Sequence, residues 1–395
     1  MPSVSLAVAF ISLAIWLYLA FARGAFWRLR EFDDDFAKHE PLSAWPNVIA
    51  VVPARNEAAT IAQTLAGLLK QEYPGEFSVV LVDDHSEDAT VRIVRQAAGE
   101  LDAESRINVR VAPALPPGWT GKLWALNEGV SHAGSAPPAY YWFTDADIVH
   151  APDALQRLVA RAECDHLDLA SLMVLLQAKT LPERALIPAF LFFFLKLYPP
   201  RWIANPRART AGAAGGCILL RRDALERIGG LAAIRNEVID DCALARAVKR
   251  SGGRLWMGLT RASISLRAYT TFREIRDMIA RTALTQLHYS SLLLLGTLLA
   301  MFLVYVAPIV LLFAQHSAPR IPGVCAWLLM SILYLPTIHF YRLSPAWAVT
   351  LPLTALFYSY ATCLSAVRYW LGRGAQWKGR AQVNDGRRGW SLPFK

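Results

Sequence analysis

Apolar residues in this chain fall into runs of two kinds, and the two kinds occupy different parts of it. From residue 47 to residue 266, short apolar runs alternate with stretches of helical spacing. Asn47–Val52 reads as a buried strand stopped by Pro53, followed by strands at Phe77–Val82, Ile107–Val111 and Tyr141–Thr144. Between them, Glu57–Lys70 carries Ile61, Leu65, Leu68 and Leu69 at helical spacing, and Ala89–Leu101 and Lys122–Val130 also read as helices. Asp223–Ile228 and Asp240–Lys249 look helical, and Arg254–Met257 reads as a last strand. Strands alternating with helices predict an α/β domain, residues 47–285, with a mostly parallel sheet.

The second kind of run is long and nearly uncharged. Val4–Phe21 is long enough to span a bilayer, and it lacks the basic start and small-residue cleavage site of a signal peptide. Residues 1–30 therefore read as an anchor, with Arg23, Arg28 and Arg30 on its cytoplasmic side, and residues 31–46 as a linker. Leu292–Phe313, Val324–Phe340 and Trp347–Leu371 are three further apolar blocks within a membrane region, residues 286–372. A basic tail, 373–395, carries Arg373, Lys378, Arg380, Arg387 and Arg388, which favour the same side as the α/β domain. Three crossings would put that tail on the opposite side, so one block is expected to be re-entrant or interfacial. Leu186–Tyr198 is too short to span; it reads either as a helix in the membrane interface or as a buried core helix.

Composition sharpens this division. The chain has 395 residues, a net charge of +10 and a mean hydropathy of +0.29, too apolar for an ordinary soluble enzyme. Its basic residues cluster beside apolar blocks and no DNA- or RNA-recognition motif is present, which points to a membrane rather than to nucleic acid. The five cysteines are scattered, with no CxxC pair, so neither a disulfide framework nor a zinc site is suggested.

Candidate chemistry sits where strands end. Asp83/Asp84 follow the second strand and Asp145/Asp147 the fourth, the end at which ligands bind in parallel sheets. Alternate residues of an extended segment point the same way, so Asp145 and Asp147 could face one point and seat a metal–diphosphate. Asp240/Asp241 form a third acidic pair. Each has a structural alternative: Asp145 and Asp147 suit a strand end followed by a solvated turn, Asp84, Ser86 and Asp88 suit a helix cap, Asp240 and Asp241 suit a helix N-terminus, and Lys122 suits a solvated helix start.

The order of these segments resembles the family 2 glycosyltransferases. Val52–Glu57, Val82–Thr90, Gly121–Asn127, Thr144–Asp147, Gly215–Arg222 and Ile239–Asp241 each look like one of that family's motifs, in the family's order. The flanking apolar blocks and Gln376–Arg380 resemble its lipid-directed branch, in particular the hopanoid-associated glycosyltransferases of bacteria. The resemblance implies the nucleotide-binding GT-A fold. It implies a donor pocket of Pro53, Arg55, Glu57 and Asp83, with Asp84 accepting from a uracil N–H, hence a UDP-sugar. It places Mg2+ or Mn2+ on Asp145 and Asp147, with Asp145 and Lys122 at the donor diphosphate. Asp241 would be the general base with Asp240 as its partner, and Gly215 and Gly216 would let the acceptor approach the backbone.

Processive members carry a Gln/Arg-x-x-Arg-Trp motif. The nearest stretch here, Met278–Thr282, has Arg281 but Thr282 at the Trp position, which favours one sugar per acceptor. The expected protein is a multi-pass enzyme of the bacterial inner membrane, with a cytoplasmic catalytic domain and a lipid acceptor. The alternatives are a polysaccharide synthase and a non-catalytic scaffold that binds nucleotide sugar.

Overall fold

The computed structural model describes residues 2–33, 42–132, 137–372, 376–377 and 380–381. Most of the basic tail and the middle of the expected linker lie outside the described residues. After α1 (Pro2–Phe21), strands and helices alternate: β1 (Val48–Ala54), α2 (Ile61–Leu69), β2 (Phe77–Asp83), α3 (Thr90–Glu100), β3 (Ile107–Val111), α4 (Gly121–Ser131) and β4 (Tyr140–Thr144). Then come β5 (Ile148–His150), α5 (Ala154–Cys164), β6 (Leu169–Leu175), α6 (Leu181–Leu197), α7 (Pro200–Ala204), β7 (Cys217–Arg221), α8 (Arg222–Arg227), α9 (Asp240–Arg250) and β8 (Leu255–Ser265). Helices follow: α10 (Phe272–Gln286), α11 (Ser291–Met301), α12 (Ala307–Leu312), α13 (Arg320–Phe340) and α14 (Leu351–Trp370).

β1 to β8 form one sheet in the order β3-β2-β1-β4-β7-β6-β8-β5, and Gln376–Trp377 pairs antiparallel with Arg380–Ala381 in a separate two-stranded ribbon. β3, β2, β1 and β4 run parallel, as expected. β7 lies antiparallel between β4 and β6, so the sheet is mixed. β1 does not stop at Pro53; it continues to Ala54 against β2, while its pairing with β4 ends at Val51. A residue without an N–H is tolerated where the ladder is open on one side. The start of the expected linker is part of the sheet edge: Phe32 bridges Leu259, and Trp256 Nε1 donates to Glu31 Oε2 at 2.9 Å.

Strand residues divide by twos between two cores. Val48, Ala50, Val52, Leu81, Tyr140 and Trp142 face α2, α3 and α5. Ile49, Val51, Val80, Val82, Tyr141 and Phe143 face α4 and α9 on the other side. Both faces are covered, which is why these strands read as unbroken apolar runs. The second core does not end at the domain: Trp16, Phe26, Phe192, Tyr334 and Tyr358 belong to it, so α1, α13 and α14 share it with the sheet.

α6 joins the two regions. It begins at a Thr180/Glu183 capping box, upstream of the apolar run, and buries Leu191, Phe192 and Leu195. Tyr358 Oη and Thr354 Oγ1 of α14 donate to the carbonyls of Leu186 and Ala185 at 3.0 and 3.1 Å. These side chains are therefore inside the protein rather than spread on a membrane surface, as the core-helix alternative describes. Among the described residues four stretches, Val4–Phe21, Ser291–Leu312, Arg320–Phe340 and Pro345–Trp370, are long and apolar enough to cross a membrane. The second includes a π-helical turn, Phe302–Val306, just before Pro308. Neighbouring helices can satisfy the backbone groups freed by such a turn.

Candidate active site

The ends of β1 and β2 are tied together by their following loops. Asn56 and His85 take left-handed backbone conformations, φ 53° and 55°, which turn both loops sharply. Asn56 N donates to Ser86 Oγ, Glu87 N to Asn56 Oδ1, Glu57 N to Thr90 Oγ1 and Ala58 N to Asp88 Oδ2, all between 2.8 and 3.0 Å. Asp84 is fully buried, with Arg55 Nη1 3.7 Å from its carboxylate and donating to its carbonyl. It therefore does not cap α3; Asp88 accepts from Thr90 N instead. Asp83 is buried and accepts from Ser86 N.

Asp145 and Asp147 are not in an extended segment. They occupy the tight turn between β4 and β5. The alternation expected from the sequence does not apply there, and the turn rather than the pleat sets their directions. Both nevertheless act electrostatically on Tyr269. Burial raises the Tyr269 hydroxyl pKa, Arg267 and Arg281 oppose this, and Asp147 and Asp145 add to it. Asp145 remains partly open, with a side chain 36% exposed, and pairs with Lys122 Nζ at 2.8 Å.

Lys122 is in the first turn of α4, where the helix dipole disfavours a cation. Carboxylates hold it there: Asp145 at 2.8 Å and Asp240 at 3.4 Å. It is not a solvated helix start, because its side chain is only 17% exposed. Burial alone would lower its pKa; Asp145, Asp240 and Asp241 together push it well above the ordinary lysine range.

Asp240 and Asp241 open α9, as the dipole alternative expects. Asp241 does more than favour the helix. Its Oδ2 accepts from Gly215 N at 2.9 Å and its Oδ1 from Cys242 N at 2.7 Å. Burial, then the neighbouring charge of Asp240, raises its pKa to about 6, against the opposing pull of Lys122 and the two backbone N–H groups. A carboxylate so poised is ionised at neutral pH yet basic enough to take a proton. Close approach rather than an unusual φ favours glycine at 215: a Cβ there would lie 3.2 Å from Asp241 Oδ2 and 3.4 Å from Lys122 Nζ.

One cleft gathers Pro53, Lys122, Asp145, Gly215, Asp240 and Asp241 around apolar walls that include Leu126, Phe143 and Leu231. Arg55, Glu57, Asp83, Asp84, Asp147 and Gly216 are not among its lining residues. Among the described residues no group of three His, Cys, Asp or Glu side chains is arranged to hold a metal. That fits a hard cation that takes one or two carboxylates and completes its shell with phosphate oxygens and water. Asp145 and Asp147 supply oxygen donors of that type. Sequence reasoning missed Tyr269, and it missed His150 and Ser263 behind the cleft; an isolated His or Ser carries no positional signal.

Residues 49–229 match the model of glycosyl transferase family 2. The chain is 28% identical over 232 residues to Probable glycosyltransferase YdaM of Bacillus subtilis, covering 56% of this chain and 53% of that protein. It is 31% identical over 110 residues to 4,4'-diaponeurosporenoate glycosyltransferase of Staphylococcus aureus, covering 28% of this chain and 26% of that one. The chain thus spans about half, or less, of the length of these relatives. The solved mannosyltransferase PcManGT of Pyrobaculum calidifontis, in complex with GDP-Man and Mn2+, superposes with a TM-score of 0.59 at 18% identity, over 92% of this chain and 99% of that one. Asp240 and Asp241 lie beyond the family match, so their place in the site rests on the geometry above. This chain therefore carries a glycosyl transferase family 2 domain, residues 49–229, on a GT-A fold.

Proposed function

We propose that the protein is a membrane-bound, inverting glycosyltransferase that moves one sugar from a nucleotide-sugar donor to a hydroxyl of a lipid acceptor. The observation that carries this is Asp241, held by two backbone N–H groups in the same cleft as Lys122 and Asp145. A non-catalytic scaffold has no need of a base beside the donor-side Lys122 and Asp145.

The acceptor oxygen attacks the anomeric carbon, and its proton passes to Asp241. The bond from that carbon to the diphosphate oxygen breaks on the opposite face, and the nucleoside diphosphate leaves. One displacement with one base inverts the anomeric centre. Lys122 supplies a fixed positive charge beside the departing diphosphate. Mg2+ or Mn2+ on Asp145 and Asp147 would neutralise charge developing there; the solved neighbour with GDP-Man and Mn2+ supports this choice. Pro53, Arg55, Glu57, Asp83 and Asp84 form the nucleoside side, with a UDP-sugar as donor, and Gly215 and Gly216 the acceptor side.

A lipid acceptor is supported by the four apolar helices, by the core that α6 shares with them, and by the relative named for 4,4'-diaponeurosporenoate. The hopanoid class follows from the sequence resemblance, as does a place in the bacterial inner membrane with the α/β domain in the cytoplasm. Asp241→Asn tests the reading. Transfer to a lipid extract should disappear, while nucleotide-sugar affinity stays within about twofold, because uniform binding does not depend on the base. Comparable turnover in that variant would refute the assignment.

A further inference from the structure

Behind the cleft a buried chain of polar side chains crosses the sheet. Ser263 Oγ of β8 lies 2.8 Å from His150 Nδ1 of β5. His150 Nε2 lies 2.8 Å from Thr144 Oγ1, the last residue of β4. Thr144 Oγ1 donates to the carbonyl of Gly216 at 3.0 Å. Ser263, His150 and Thr144 are at most 2% exposed, so water does not complete this chain.

Counting hydrogens gives the chain a direction. Thr144 has one hydroxyl hydrogen, and Gly216 O can only accept, so that hydrogen is used there. Toward His150, Thr144 must then accept, which puts the imidazole hydrogen on Nε2. His150 Nδ1 is left as an acceptor and takes the hydroxyl hydrogen of Ser263. The order is Ser263 to His150 to Thr144 to Gly216, and every member is satisfied. It requires a neutral imidazole, and burial pushes the His150 pKa down to about 3.

The two ends of the chain touch both halves of the site. Thr144 directly precedes Asp145, the partner of Lys122. Gly216 follows Gly215, whose N–H holds Asp241. Ser171 grips the other end of that turn through Ala214, accepting from its N–H at 2.8 Å and donating to its carbonyl at 3.2 Å. The turn carrying Gly215 is thus clamped on both sides, once from β6 and once through Thr144.

We infer that His150 is a positioning residue for the transfer reaction, locked as the Nε2–H tautomer between Ser263 and Thr144 so that it fixes Asp145 relative to the Gly215 turn that holds Asp241. The role rests on the proposed function, since it needs a donor-side carboxylate and a base to be held in register. Supporting hydrogen bonds of this kind typically cost about 10–100-fold in activity when removed from metal sites, and displacements of about 1 Å cost roughly 100-fold.

The test joins spectroscopy to kinetics on the full-length protein in detergent. Long-range 15N–1H NMR of 15N-histidine-labelled protein, with His150 assigned through His150→Gln, should show the neutral Nε2–H form throughout pH 5–8. Thr144→Val and Ser263→Ala should each lower kcat by about 10–100-fold with the donor KM within about twofold. The double variant should lose little more than Thr144→Val, because the two act through one chain. His150→Gln, which keeps a donor and an acceptor, should recover at least about tenfold over His150→Leu. An Nδ1–H tautomer, titration near the ordinary histidine value, or wild-type kcat in well-folded Thr144→Val would overturn the inference while leaving the transferase reading intact. A protein that transfers no sugar to any lipid would sink both.

Discussion

The charge of Asp240 should be legible in the pH profile of the reaction. Asp241 must be ionised to accept a proton, so kcat/KM should rise with pH through about 6, the value to which burial and Asp240 raise it. Asp240→Asn removes the like charge and leaves the burial. For neighbouring carboxylates at roughly 6–8 Å and an effective dielectric near 20, Coulomb's law gives about 2–3 kcal/mol, an upper bound of about 2 pH units. Asp240 has a side chain 20% exposed and is also paired with Lys122, both of which reduce its effect on Asp241. The rising limb should therefore move down by about one pH unit. The assay is sugar transfer under kcat/KM conditions from pH 4.5 to 8, with thermal unfolding to confirm a folded variant. A limb that stays in place, or moves up, would mean that Asp241 is not the titrating base or does not feel its neighbour.

Two further substitutions probe the site and its supports. Gly215→Ala puts a methyl group 3.2 Å from Asp241 Oδ2 and 3.4 Å from Lys122 Nζ, so one of them must give way. Transfer should fall by at least about tenfold with only a small change in melting temperature, and full activity would show that the close approach is unimportant. Glu183, buried in the first turn of α6, accepts from Lys179 N, Thr180 N and Tyr269 N at 2.8–2.9 Å. Burial opposes this, but those bonds hold its pKa below the ordinary value. Its contribution is therefore fully present above the unfolded-state pKa and is lost as pH falls through the folded one. Glu183→Gln should cost about 1–3 kcal/mol in unfolding experiments at pH 7 and flatten the acid limb of stability; unchanged stability would refute the role.

What the sequence disclosed, and what it hid, follows from where each signal lies. β1, β2 and β4 carry continuous apolar runs because helices cover both their faces, so length and flanking turns were enough to find them. β5 has three residues, and β7 follows a glycine-rich turn, so neither has a local period to read. β6 was passed over, and β8 was cut short because its second half alternates between exposed and buried residues. The acidic pairs were visible because carboxylates at strand ends are uncommon without a use. Their geometry was not: Asp145 and Asp147 sit in a turn, and the grip of Gly215 on Asp241 joins residues far apart in the chain. The Ser263–His150–Thr144 chain is purely a product of sheet topology, since β5 meets β8 only in the folded protein.

Stereochemistry offers the most direct check on the central claim that a single carboxylate serves one displacement at this cleft. The glycolipid made by the purified protein from a nucleotide sugar of known anomeric configuration can be read by 1H NMR, from the coupling of its anomeric proton. The account predicts the opposite configuration in the product, formed by the wild type and absent from Asp241→Asn. Retained configuration, or an unchanged yield from that variant, would contradict it.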